Sequence, residues 1–294
     1  MTPLVTIITA TYNSSQTLAW TIASVLQQDF TDFEYLIIGD ACTDDSADVV
    51  SGFCDSRLQF INLSQNSGSQ ATPNNTGLEL AKGQWIAYLG HDDLWFPWHL
   101  SSLLATAKSK NADFVYSMSA LFSPQGLEIV YGIAGQGRTI RNYIVPPSSW
   151  LHRLSGQRWR DPNSIGLGVD NDFMMRWVRQ NPAIAASERL SLLKYPSPWW
   201  RLYQQKTDFP QLIAIKQIRQ DAATLEHQVL FEAAKLASQL RSRHLTTWQI
   251  CKEFLKPTLV NLVINYPEFL LFRIYFQHLR KNIRRQRGLP LKLE

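Results

Sequence analysis

The sequence predicts an α/β fold, with a mostly parallel sheet flanked by helices, then a loop-rich region and a C-terminal helical extension. Three observations carry that reading. Short β-rich apolar runs alternate with helical stretches through the first 120 residues. Polar residues gather where several of those runs end, and helical spacing returns in the last part of the chain.

Leu4 to Thr9 is apolar and β-branched, as suits a strand buried on both faces. Ser14 or Ser15 caps the helix that follows, in which Leu18, Ile22, Val25 and Leu26 share one face. Phe33 to Ile38 is the second strand and ends at Gly39-Asp40. Thr43 or Asp44 opens the second helix, Leu58 to Leu63 gives a third strand, and Asn74 to Ala81 is helical. Trp85 to Leu89 is the fourth strand, ending in Gly90-His91-Asp92-Asp93, and Asp113 to Ser117 is a fifth. Strands separated by helices imply right-handed βαβ units in a Rossmann-like sheet, where ligands bind at the carboxyl ends of strands. Thr11-Tyr12-Asn13, Gly39-Asp40 and His91-Asp92-Asp93 therefore converge on one sheet edge.

From Met118 to Lys216 the pattern loosens around Gly132, Gly135, Gly137, Pro146, Pro147, Gly166 and Gly168, with Trp150, Trp159, Trp199 and Trp200 among them. Long loops over a rigid sheet are a usual place for substrate recognition. From Asp221 onward Leu225, Val229, Ala233, Leu236 and Leu240 recur at helical spacing. The expected division is residues 1–117 as a ligand-binding half, 118–220 as an acceptor-binding and base-bearing region, and 221–294 as helices with a basic tail.

Hydrophobic residues at 45% and charged residues at 18% predict a packed core and not a disordered chain. Ten Trp and ten Tyr can fill that core or offer flat faces for sugar rings and bases. The net charge of +5 is uneven: Arg273, Arg280, Lys281, Arg284, Arg285, Arg287 and Lys292 meet no acid, whereas the first hundred residues are rich in Asp. A basic tail behind an acidic, catalytic-looking half argues against a nucleic-acid partner. Interleaved with Phe269, Leu270, Phe272, Ile274, Tyr275 and Phe276, the tail reads either as peripheral membrane contact on an anionic surface or as a packed helix with a solvated basic end.

Cys42, Cys54 and Cys251 are odd in number and show no metal-ligand spacing, so they read as reduced intracellular thiols. The first residues read as a strand and not a signal peptide. Thr258 to Phe276, the longest apolar stretch, is broken by Asn261, Asn265, Pro267, Glu268 and Arg273. The expected location is cytoplasmic, or peripheral on the inner membrane face.

Four stretches carry a resemblance to a known family: VTIITATYNSSQTLAWTIASVLQQ, YLIIGDACTDDS, NSGSQATPNNTGLELAKGQWIAYLGHDDLWFPWHL and, more weakly, GVDNDFMMRW. In this order they resemble the nucleotide-binding half of family-2 inverting glycosyltransferases of the GT-A fold. They cover residues 4 to 104 nearly continuously, then a patch near 170. The resemblance implies hexosyl transfer from a nucleotide diphosphate sugar, UDP-linked by preference, to a hydroxyl on a glycan or lipid-linked acceptor in cell-surface glycan synthesis.

The chemistry of such a donor agrees with the residues. A divalent cation bridging the diphosphate stabilises the leaving group, and Mn²⁺ or Mg²⁺ prefers oxygen ligands. Asp92 and Asp93 supply carboxylates at a strand end; Asp93 reads equally as a helix cap before Leu94-Trp95. The family pattern is Asp-x-Asp, and here Gly90 and His91 precede Asp92. His91 is expected to ligate Mn²⁺ through a ring nitrogen or to hydrogen-bond the ribose or a phosphate.

By resemblance Asp40 accepts a hydrogen bond from the nucleobase, with Gly39 in place of a second acid; its alternative is capping the next helix. Thr9, Thr11, Tyr12 and Asn13 are expected along the base and ribose, and Asn74 stands where relatives carry an Arg for the diphosphate. Asp44 reads as turn and cap chemistry. An inverting transfer needs a base for the acceptor hydroxyl. The family motif is Glu-Asp followed six residues later by Arg, which selects Asp170 with Arg176, with Val169 in place of the Glu and Asp172 as the alternative base. Trp150, His152, Trp159 and Arg160 are expected to line an acceptor pocket or to pack structurally.

The missing acids also motivate a different class, a binding protein that keeps the fold without catalysis. A nucleotidyltransferase is disfavoured, because the first strand leads into Thr11-Tyr12-Asn13 and not a glycine-rich phosphate loop.

Overall fold

The computed structural model describes residues 2–123, 126–132, 145–165, 168–180, 183–195 and 210–242. The basic tail, Cys251, Trp199 and Trp200 lie outside the described residues. The elements run β1 (Val5–Thr11), α1 (Ser15–Leu26), β2 (Phe33–Gly39), α2 (Ser46–Ser51), β3 (Leu58–Asn62), α3 (Ala71–Leu80), β4 (Trp85–Tyr88), β5 (Leu94–Trp95) and α4 (His99–Lys110). They continue through β6 (Phe114–Ser123), β7 (Gly126–Tyr131), β8 (Trp150–Arg153), α5 (Val169–Gln180), β9 (Ile184–Lys194) and α6 (Pro210–Ser242).

One sheet runs in the order β3-β2-β1-β4-β8-β6-β9-β5, with β7 paired to β6. The pairs from β3 to β4 are parallel, as alternating strands and helices dictate. Beyond β4 the sheet is mixed: β4–β8, β8–β6, β6–β7 and β9–β5 are antiparallel, while β6–β9 is parallel. Two antiparallel steps between β4 and β6 return the chain to its first direction. The carboxyl ends of β1, β2, β4 and β9 therefore share one edge.

β1 is central and covered on both faces, with Val5, Ile7 and Ile8 fully buried, which explains its unbroken apolar run. The long strand β9 and the turn-bounded β8 fall in the stretch expected to be loop-rich. β6 crosses residues 117 and 118 within the continuous sheet. Trp150, Trp159, Phe173 and Trp177 of that stretch are core: they pack with Tyr88 and Phe114, and Trp159 stacks on Phe173 at 4.6 Å between ring centroids. Trp150 and His152 belong to this buried cluster and do not line an open pocket.

Helix starts differ from expectation. Ser14 occupies the cap position of α1, but its hydroxyl donates to the Tyr12 carbonyl. The Ser15 amide instead donates to Asp44 Oδ2 at 2.8 Å, from the loop after β2. The same Asp44 accepts from Ser46 N and Oγ, and Asp45 is the cap residue of α2. Burial pulls the Asp44 carboxyl upward, but the hydrogen bonds from Ser46 and Ser15 outweigh it and hold the group below its ordinary range. In α6 the helix starts earlier than expected, at Pro210, and kinks at Asp221. The Asp221 carboxylate receives Thr224 N and Oγ1, capping the second arm. No helix among the described residues is long and apolar enough to cross a membrane.

Candidate active site

The shared sheet edge carries two adjoining features. The first is a cavity of about 140 Å³, lined by residues that include Thr11, Tyr12, Asp40, Asn66, Gly68 and His91. Asp40 ends β2, with its amide bound to the Thr11 carbonyl. Its carboxylate accepts Ser67 N at 2.9 Å and Gly68 N at 3.1 Å, and its carbonyl accepts Asn66 Nδ2 at 2.8 Å. Asp40 therefore caps no helix; it folds the 66–68 loop over the strand ends. Two cavity residues present buried oxygens without a hydrogen-bond partner, Thr11 Oγ1 and Asn66 Oδ1. Buried acceptors of this kind are costly unless something completes them.

Sequence expectations divide here. Thr11, Tyr12, Asp40 and His91 come together in the cavity. Thr9, expected beside them, is fully buried: Oγ1 donates to the Leu89 carbonyl and pairs with Tyr35 Oη, so it braces the sheet. Asn13 adopts φ 47° and clasps residue 43, its Oδ1 accepting Thr43 N at 2.8 Å. Asn74 is buried within α3, away from the cavity lining. Its neighbour Asn75 does visible work, holding both Trp159 N and Trp159 O at 2.8 Å through its amide.

The second feature is a charged cluster at the ends of β4 and β9. Asp93 is not a helix cap, because Leu94 and Trp95 form β5 and pair with β9. Its carboxylate is completely buried and takes four donor contacts, two per oxygen. Oδ1 receives Lys194 Nζ at 3.1 Å and Tyr195 N at 3.0 Å. Oδ2 receives Lys194 Nζ at 2.9 Å and Ser148 Oγ at 2.5 Å. Burial raises the Asp93 carboxyl, and the Lys194 ammonium opposes that rise. We take the pair as ionised, because every contact to Asp93 is a donor. Burial likewise works against the Lys194 charge, but Asp93, Asp92 and Asp170 outweigh it and hold the ammonium above its ordinary value. Lys194 thus bonds to Asp93 directly, and the charges of Asp92 and Asp170 also act on it.

Asp170 is half-buried at the start of α5, with Asn171 N donating to Oδ1 at 3.0 Å. Burial raises its carboxyl; the amide contacts and the Lys194 charge pull in the other direction without cancelling the rise. Asp172 is differently placed. It receives Arg176 Nε at 2.8 Å and lies 3.5 Å from Arg160, while Arg176 also donates to the Arg158 carbonyl. Arg176 thus serves Asp172 and the 157–160 segment.

The acids absent at positions 39 and 90 have a steric explanation. A Cβ on Gly39 would stand 2.5 Å from Asn62 Oδ1, and one on Gly90 would stand 2.8 Å from Asp93 Oδ2. At each position another side chain already fills the space. Lys194 and Ser148 were not legible as site residues. The strand-end rule would have found Lys194 had β9 been recognised, since this cation closes an apolar run, Leu190-Ser191-Leu192-Leu193-Lys194.

Among the described residues no group of three or more His, Cys, Asp or Glu side chains is arranged to hold an ion by itself. His91 lines the cavity and Asp92 follows it in the chain; the Asp92 carboxylate and the His91 ring are the side chains that would hold a divalent ion there.

Comparison with known proteins bears on this geometry. The model of Glycosyl transferase family 2 matches residues 6–159. The Escherichia coli UDP-Glc:alpha-D-GlcNAc-diphosphoundecaprenol beta-1,3-glucosyltransferase WfaP is 35% identical over 114 residues, 39% of this chain and 45% of that protein. The chain spans about half the length of the curated relatives it matches, with 54%, 45% and 40% of the first three covered. The crystal structure of Staphylococcus aureus TarS 1–349 in complex with UDP aligns with TM-score 0.58 and 16% identity, covering 97% of this chain and 87% of that one. The Pyrobaculum calidifontis mannosyltransferase PcManGT, in complex with GDP-Man and Mn²⁺, aligns with TM-score 0.53 and 14% identity, covering 98% and 87%. At these identities the two structures establish a common GT-A fold.

Proposed function

The chain belongs to glycosyl transferase family 2, and on that premise we propose that it carries out inverting, metal-dependent hexosyl transfer from a UDP-sugar to a hydroxyl of a cell-surface glycan or lipid-linked precursor. One observation carries the reading: a cavity with unsatisfied polar atoms adjoins a carboxylate–lysine cluster on the same sheet edge. The UDP-glucose and diphosphoundecaprenol in the name of WfaP, and the UDP bound to TarS, support the donor and acceptor classes.

In this reading the nucleoside enters the cavity. Tyr12 offers its ring to the base, and Asp40 accepts a base N–H beside the two amides it already holds. Thr11 Oγ1 and Asn66 Oδ1 find their missing partners on the base and ribose. Asp92 is the carboxylate that holds a Mn²⁺ or Mg²⁺ ion, which when bound supplies Lewis-acid stabilisation to the departing diphosphate. Asp93 serves as the buried counter-charge of Lys194. Asp170 takes the proton of the acceptor hydroxyl as it attacks the anomeric carbon from the face opposite the diphosphate. Partial burial keeps that carboxylate basic. Asp172 is committed to Arg176 and Arg160, which leaves Asp170 the better base.

The division of labour follows: residues 1–117 bind the donor, 118–220 bring the base and the acceptor, and 221–294 end in a tail assigned to an anionic surface on charge pattern alone. A fold retained for binding without transfer is the competing reading, motivated by Gly39, Gly90, Val169 and Asn74. The test is donor hydrolysis and transfer with a panel of UDP-sugars and Mn²⁺, using wild type and Asp92→Ala. The variant should keep its melting temperature and lose at least about 10²-fold in kcat. UDP·Mn²⁺ binding by wild type without hydrolysis or transfer would favour the binding-only reading, and unchanged activity in Asp92→Ala would remove the proposed metal site.

A further inference from the structure

Asn75 belongs to α3, whose start borders the cavity, yet its side chain is spent on a segment far along the chain. Its amide grips one residue from both sides: Nδ2 donates to the Trp159 carbonyl and Oδ1 accepts the Trp159 N–H, each at 2.8 Å. Residues 154–161 lie in neither helix nor strand, so no ladder serves these two backbone groups. A side-chain amide, with its donor and acceptor side by side, is shaped to replace that ladder.

Both ends of the grip are anchored. α3 lies close on β1, where a Cβ on Gly77 would stand 2.6 Å from Ile8 Cγ2. Gln70, which precedes α3, and Pro73 in its first turn line the cavity. On the other side the gripped segment clasps α5. Gln157 Nε2 donates to the Phe173 carbonyl and Arg176 donates to the Arg158 carbonyl, both at 2.7 Å, while the Trp159 ring stacks on Phe173. Trp159 Nε1 also donates to Tyr88 Oη at 3.2 Å, at the end of β4. The first turn of α5 carries Asp170. One helix therefore gauges the cavity at its start and the seat of α5 at its middle.

We infer that Asn75 is a positioning residue for the transfer step: through residues 157–159 it sets the pose of α5, and with it the Asp170 carboxylate, relative to the donor cavity. This rests on the function proposed above, with Asp170 as its base. Asn75 does not line the cavity, so its loss should be felt in turnover and not in nucleotide binding. A reacting group misplaced by about 1 Å costs on the order of 10²-fold in rate.

The experiment is hydrolysis of the UDP-sugar panel with Mn²⁺ by the full chain, water serving as the acceptor, with UDP·Mn²⁺ affinity measured by calorimetry. In Asn75→Ala kcat should fall roughly 10- to 10²-fold, while donor KM and UDP affinity stay within about twofold of wild type. A merely loosened fold would weaken both together. Where alanine lowers the melting temperature too far, Asn75→Ser gives the same split at smaller amplitude. The route is tested by adding Gln157→Ala, which removes a contact between the same segment and α5. The double variant should lose less than the product of the two single losses. Unchanged kcat in both Asn75 variants, a fall in UDP affinity that matches the fall in kcat, or losses that multiply in full each overturns the inference and leaves the proposed function standing. Wild type that binds UDP without turning over any of the sugars removes both.

Discussion

The cavity around Asp40 and the cluster around Asp93 each bury a carboxylate, yet they are built in different ways. Asp40 is completed by backbone amides of one nearby loop, at Ser67 and Gly68. Asp93 is completed by Ser148, Lys194 and Tyr195, which lie 55, 101 and 102 residues away along the chain. The first joins the end of β2 to a loop 27 and 28 residues further on through backbone amides. The second exists only once the mixed half of the sheet has closed and a cation has been delivered beside an acid. Removing a partner should therefore cost little in the first region and much in the second.

The largest effect expected is on catalysis, on the side of the cluster. Asp170→Asn should lower kcat by about 10²–10⁴-fold while the circular dichroism spectrum is retained. As the proposed base Asp170 would work only when ionised, and burial raises its carboxyl against the pull of the Asn171 amide and Lys194. The acidic limb of kcat/KM against pH should accordingly lie above the ordinary carboxylate range and disappear in the variant.

Next is Lys194→Met, which strands a buried carboxylate. The loss should be near the low end for a broken buried pair, about 3 kcal/mol, because the Lys194 side chain is 27% exposed. Without the ammonium, burial alone acts on Asp93 and raises its folded-state pKa above the unfolded one. Its protonated form then favours folding, so the deficit should shrink as pH falls and grow as pH rises through the folded pKa. Urea denaturation at acidic and neutral pH tests the sign.

The smallest effect belongs to the cavity. Asp40→Asn leaves one oxygen to serve the two amides, at about 1–3 kcal/mol. UDP should bind roughly tenfold more weakly by calorimetry, a loss within the same range. A stability loss in Asp40→Asn equal to that in Lys194→Met would end the distinction between the regions.

The contrast also explains what the sequence could reveal. The strands β1 to β4 are legible because each is a buried apolar run bounded by turn residues, and their order follows from chain connectivity. Thr11, Tyr12, Asp40 and His91 follow from the strand-end rule. Thr9 does not, because its hydroxyl is spent on Leu89 and Tyr35, partners that no local pattern displays. The two-residue strand β5 is equally hidden: Leu94-Trp95 extends only because Leu192 and Leu193 pair with it. The capping alternative for Asp93 depends on a helix starting at Leu94-Trp95, and that pairing removes it. Asn75 and Lys194 share that character, since both act on segments distant in the chain.

The aromatic cluster beneath α5 has an optical consequence. Phe173 and Trp177, on the helix whose first turn carries Asp170, pack among Trp150, Trp159 and Phe114, with Trp150 and Trp159 stacked at 6.1 Å. Coupled indole transitions held this close in a fixed, chiral arrangement give rise to strong near-ultraviolet dichroism. The proposed proton acceptor therefore rides on a chromophore assembly, and any tilt of its helix as an acceptor binds is written into the molecule's own spectrum.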